Sequence, residues 1–99
     1  MEFEFNQEKS LWLKHERGIS FDELIALLDE SHILNVMEHP NKEKYGKQKI
    51  YVVNIAGYVY LVPFVQHGNK IFLKTIIPSR KATVQYLSPQ EVKDAKKRK

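Results

Sequence analysis

The chain has 99 residues, 42% of them hydrophobic and 28% charged, enough for one modest core in one domain, and no run nears the roughly 18 apolar residues of a membrane helix. There is no cysteine, which excludes a disulfide framework and a thiol nucleophile and fits a reducing compartment, the cytoplasm. The net charge of +4 is split unevenly: residues 1–30 carry three basic and eight acidic side chains, residues 31–99 carry thirteen and four, and no carboxylate side chain stands between Glu43 and Glu91.

Met1–Phe5 is acidic, lacks the basic flank and apolar run of a secretory leader, and alternates apolar with acidic as a short first strand does. Asn6 is placed to cap a first helix carrying Leu11, Trp12 and His15 at helical spacing and stopping before Gly18. Ser20 and Glu23 form a capping box for a second helix, whose stripe of Phe21, Leu24, Ile25, Leu27 and Leu28 predicts that it runs to about Glu30. His32–Glu38 reads as a strand, followed by a polar loop through Lys47 with Pro40 and Gly46.

Gln48–Ile55, Tyr58–Gln66 and Lys70–Ile77 are β-branched and aromatic runs joined by Ala56-Gly57 and His67-Gly68-Asn69, hairpin-length connections that predict antiparallel pairing. Pro78 ends the last strand, and Ser79 caps a short helix to about Leu87. Residues 89–99 are expected to be a basic tail or a short helix beyond a single domain over 1–88. The expected fold is α+β: two N-terminal helices on a four-stranded, mainly antiparallel sheet, with a short N-terminal strand and a C-terminal helix, in the order β-α-α-β-β-β-β-α.

A two-residue turn at Ala56-Gly57 pairs Lys49 with Phe64, Tyr51 with Val62 and Val53 with Tyr60. A three-residue turn over 67–69 pairs Phe64 with Phe72 and Val62 with Lys74. One face then carries Ile50, Val52, Leu61, Val65, Ile71, Leu73, Thr75 and Ile77 and is expected to receive the helices. The other carries Lys49, Tyr51, Val53, Tyr60, Val62, Phe64, Phe72, Lys74 and Ile76. Rings among cations suit single-stranded RNA, since bases stack on the rings and phosphates meet the charges. The same face is also a plausible seat for the C-terminal helix or a partner chain.

The histidines, His15, His32, His39 and His67, show no metal-ligand spacing, and the basic half lacks the paired carboxylates of two-metal or glycosidase chemistry. No metal, cofactor or small-molecule partner is expected. Lysine, arginine, histidine and tyrosine remain, and they suffice for RNA cleavage, because RNA supplies its own 2′-OH nucleophile and needs only a base, an acid and a cation. Arg80 and Lys81 stand in the first turn of the last helix, where the dipole disfavours cations unless an anion binds nearby.

Two segments resemble the BrnT family of toxins. Phe3–Phe21, with Phe-Asn-Gln-Glu-Lys at Phe5–Lys9, then Lys14-His15 and Gly18-Ile19-Ser20-Phe21, resembles the family's strand-to-helix opening and its "K-H-G-V/I-S-F". Ile76-Ile77-Pro78-Ser79-Arg80-Lys81-Ala82-Thr83 resembles "I-I-S-A-R-K-A-T". The chain departs from the pattern by Glu16-Arg17 inserted before Gly18, by Thr75 where the family often has arginine, and by lacking the Glu that follows "R-K-A-T"; Tyr86 takes the place of a later Tyr. The resemblance implies a RelE-like fold, RNA cleavage, and a cognate antitoxin as partner.

The reading is therefore a toxin of a toxin–antitoxin pair, a metal-independent endoribonuclease working by 2′-OH attack. Lys49 or His39 would act as base or acid and Arg80 would stabilise the phosphate. Lys14, His15, Tyr51, Tyr60, Lys74, Lys81 and Thr83 would bind RNA. The alternative is a non-catalytic RNA- or protein-binding module using the same face.

Overall fold

Asn6 starts the first helix by accepting the backbone N–H of Lys9 at 2.8 Å, and Gly18 ends it at φ 77°, giving its N–H to Lys14. A left-handed C-cap of this kind is where glycine is favoured. The computed structural model describes residues 1–87, so the tail or helix expected over 89–99 lies outside the described residues. The order is β1 (Glu2–Phe5), α1 (Gln7–Arg17), α2 (Phe21–Ile25), β2 (Ile33–Glu38), α3 (Lys42–Tyr45), β3 (Gln48–Ile55), β4 (Tyr58–His67), β5 (Lys70–Leu73), β6 (Ile77–Pro78) and α4 (Arg80–Tyr86). The fold is α+β in the expected order, with β6 and the single turn α3 added.

The strands form one mixed sheet in the order β1-β5-β4-β3-β2, with β6 also on β4; β1 runs parallel to β5 and the other pairs are antiparallel. The first hairpin has the expected register, from Ile55 opposite Tyr58 to Lys49 opposite Phe64. The second does not. His67 pairs with Lys70, so Gly68-Asn69 is a two-residue turn, and Phe64 faces Leu73 while Val65 faces Phe72. A one-residue slip moves every side chain of β5 to the opposite face. Ile71 and Leu73 therefore point with Phe64, and Phe72 and Lys74 point the other way.

This register corrects the assignment of faces. α1 and α2 pack on the face of Val53, Val62, Phe64, Ile71 and Leu73, closing a core with Leu13, Ile19, Phe21, Leu24 and Ile76. α4 packs on the opposite face through Ala82 and Leu87 against Val52, Val59 and Leu61. Both sides of β3 and β4 are thus covered, which explains their near-continuous apolar runs. Of the two lysines expected on one face, only Lys49 stands on the α1–α2 side, at the start of β3, and the middle of that face is buried and apolar.

Two elements are shorter than expected. α2 stops at Ile25 because the chain tightens: Leu27 bonds back to Leu24, Leu28 to Ile25, and the Asp29 carboxylate accepts the N–H groups of Ser31 and His32 at 3.0 and 3.1 Å. That side-chain turn competes with another helical turn. β5 stops at Leu73 because Lys74 gives its N–H to the Pro63 carbonyl at 2.9 Å, and proline has no N–H to return the second bond of the pair. Pairing resumes only at Ile77, opposite Leu61.

Buried polar groups join the layers. Ser10 on α1 accepts the N–H of Phe21 at 2.9 Å, fixing the start of α2. Thr83 on α4 accepts the Val59 N–H at 2.8 Å and donates to the Ser79 carbonyl at 2.7 Å. At the outer strand β2, the Asn35 side chain accepts the N–H of Val36 and donates to the Tyr86 hydroxyl. An edge donor that would otherwise invite another strand is satisfied within the chain.

Candidate nucleic-acid interface

The carboxylate-free stretch from Lys44 onward comprises β3, β4, β5, β6 and α4. Its cations are exposed, and among the described residues only Lys70 lies within 4 Å of a carboxylate, Glu4 at 3.8 Å. Lys74 leans over the Phe72 ring, 5.1 Å from its centroid. Lys49 stands cross-strand from Glu38, whose carboxyl is held below its usual range chiefly by Lys42 and more weakly by Lys49.

The sheet separates the residues expected to act together. Lys49 and Tyr51 lie near the start of β3 on the α1–α2 face, and His39 gives its N–H to the Gln48 carbonyl at 3.2 Å, which sets it opposite Gln48 and on the other face from Lys49. Arg80 follows Pro78, which pairs with Tyr60, itself opposite Val53. From Lys49 to Val53 is four residues, about 13 Å of strand. Lys74 is on the other face, with Phe72. Lys49 and His39 thus share one end of the sheet but not a face, and Arg80 and Lys74 each belong to a different part of the surface.

His39 is half-buried against Tyr45, with ring centroids 4.4 Å apart, and its Nδ1 accepts the backbone N–H of Asn41 at 3.1 Å. Tyr51 stacks on Phe64 at 4.1 Å, and Tyr60 meets Tyr58 edge-on at 5.8 Å. Burial raises the hydroxyl pKa of both Tyr51 and Tyr60. At neutral pH each keeps its proton, so each is a hydrogen-bond donor or a ring surface and not a base.

Three expected contacts have other duties. Thr83 is 2% exposed, and its hydroxyl is used within the fold as described above; the expectation that it binds RNA is corrected. Lys14 pairs with Glu23 at 2.8 Å, beside the Ser20 capping box. His15 is exposed next to Glu16, with Nδ1 3.0 Å from the carboxylate. At α4, Ser79 itself takes the Ala82 N–H, and seven residues give a weak dipole, so Arg80 and Lys81 count as exposed charges and not as part of a helix-end site.

Arg17 and Trp12 add a contact that no local motif marks. The Arg17 guanidinium donates to the Ile76 carbonyl, joining the end of α1 to the segment that leads into Arg80. Its visible signal was position: an arginine five residues after the only tryptophan, in the inserted Glu16-Arg17 pair.

No protein-family model, curated protein or solved structure matches this chain. Among the described residues no three His, Asp or Glu side chains are grouped to hold a metal ion, and no helix is long and apolar enough to cross a membrane.

Proposed function

We propose that this chain binds single-stranded RNA in the cytoplasm through its carboxylate-free half. The observation that carries the reading is the exposed set Lys74, Arg80 and Lys81, with no carboxylate within 4 Å among the described residues; β3, β4, β5, β6 and α4 contain no acid, and the acidic strand beside β5 is β1, with Glu2 and Glu4. A region of one sign concentrates polyanions, and phosphates would take the place of the missing counter-charges. The test is anisotropy of a labelled oligouridylate with the full chain. Binding that weakens steeply from 50 to 200 mM salt supports the reading, and no binding at 50 mM refutes it.

A second reading adds cleavage, as the toxin of a toxin–antitoxin pair. It is supported by the resemblance of Phe3–Phe21 and Ile76–Thr83 to BrnT segments and by the place of Lys49 and His39 at the same end of the sheet. The 2′-oxygen would attack the adjacent phosphorus, expelling the 5′-oxygen and leaving a 2′,3′-cyclic phosphate. One of Lys49 and His39 would take the 2′-OH proton and the other would give a proton to the leaving oxygen. Arg80 would hold a phosphate farther along the strand. Induced expression without an antitoxin should arrest growth, and Lys49→Ala should relieve the arrest while oligouridylate affinity changes less than tenfold. Normal growth with abundant soluble protein removes this reading and leaves the first.

A further inference from the structure

Trp12 is the only tryptophan of the chain, and it is 44% exposed. Tryptophan is highly buried on average, so a ring exposed to this extent leaves a face open to a ligand. Two cations attend it: the Lys9 ammonium lies 4.5 Å from its centroid and the Arg17 guanidinium carbon 5.2 Å. Arg17 is also tied to the Ile76 carbonyl, at the head of the segment that carries Arg80 and Lys81. Trp12 therefore stands beside the carboxylate-free half although it belongs to the acidic one.

We propose that Trp12 is the stacking platform for an unpaired nucleobase of single-stranded RNA, with Lys9 and Arg17 contacting the flanking phosphates. The inference rests on the RNA-binding reading above and adds the residue that meets a base. Stacking on an indole tolerates any base, because every base has a π-face, and guanidinium and ammonium groups beside the ring strengthen the site for a polyanion. In the free protein Lys9 caps the ring. When a base arrives, its long flexible stem lets the ammonium move from the ring to a phosphate without moving α1. Arg17, held by Ile76, keeps its place and sets the direction in which the strand leaves towards Arg80.

The lone tryptophan makes the test direct, since emission of the unmodified full chain excited at the red edge, where its five tyrosines do not absorb, comes from Trp12 alone. Titration with oligouridylate should quench that emission along the same curve as the anisotropy of the labelled oligomer. Inorganic polyphosphate, which offers charge without bases, should bind without quenching. Trp12→Ala should weaken RNA binding about tenfold, and Trp12→Phe should keep most of the affinity. RNA that binds by anisotropy while the emission stays constant overturns the proposal and leaves the RNA-binding reading intact. Quenching by polyphosphate as deep as by RNA also overturns it. Absence of RNA binding ends both. The wild-type titration decides the matter even if a Trp12 variant fails to fold.

Discussion

Replacing Thr83 by valine removes one hydroxyl and changes the volume little. In the folded protein that hydroxyl accepts the Val59 N–H and donates to the Ser79 carbonyl. The Ser79 carbonyl keeps its bond from the Thr83 N–H at 3.0 Å, so only the Val59 N–H is orphaned. Val59 is fully buried and its carbonyl already serves the Ser79 N–H, so neither water nor another acceptor replaces the loss. An unsatisfied buried donor costs about 1–3 kcal/mol, and Thr83→Val should destabilise by about 2 kcal/mol. Urea denaturation followed by circular dichroism would show this as a midpoint lower by about 1 M with an unchanged slope. Thr83→Ser keeps the hydroxyl and should lose only about 0.8 kcal/mol for the missing methyl. A Thr83→Val protein as stable as wild type, but with weakened RNA binding, would refute the structural role and restore the residue to the interface.

Glu23 has its carboxyl lowered to about 2 by the Lys14 hydrogen bond first and the Ser20 bonds next. A depressed folded-state pKa adds stability above the unfolded value and loses it as pH falls through the folded one. This contribution should be complete above about pH 4.5 and fade towards pH 2, so Glu23→Gln should flatten that part of a stability–pH curve measured by urea titration; an unaltered curve would count against the pair. Ala56 occupies the hairpin turn at φ 53°, a conformation that L side chains adopt at a cost of about 1–2 kcal/mol. Ala56→Gly should therefore raise the melting temperature by a few degrees, and a fall would show that the methyl group is needed there.

Much of the framework could be read directly from the chain. Asn6 and Ser20 cap where their chemistry predicts, and Ala56-Gly57 sets the first hairpin's register. The second hairpin is ambiguous in sequence because His-Gly-Asn offers both a three-residue and a two-residue turn, and only packing of Ile71 and Leu73 against α1 and α2 chooses between them. Pro63 was the legible sign that β5 would break, since a proline inside a central strand must leave one ladder position unpaired. The site was less legible than the fold. Lys49 and Lys74 share a charge but not a face, and their separation follows from that one-residue shift. Thr83 carries the same letter whether it meets RNA or a backbone amide, and only its burial tells which. Arg17 acts across 59 residues of chain, which local spacing does not reveal.

If the carboxylate-free half of the protein holds RNA by its phosphates, binding must fall with salt in proportion to the phosphates contacted. For a single strand the logarithm of affinity falls against the logarithm of salt by about 0.7 per phosphate contacted. Oligouridylate binding to wild type should give a slope of about −2 or steeper, and the Arg80→Ala/Lys81→Ala double variant should lose about 1.4 of it. A slope the same in wild type and double variant, or binding indifferent to salt, would contradict the account.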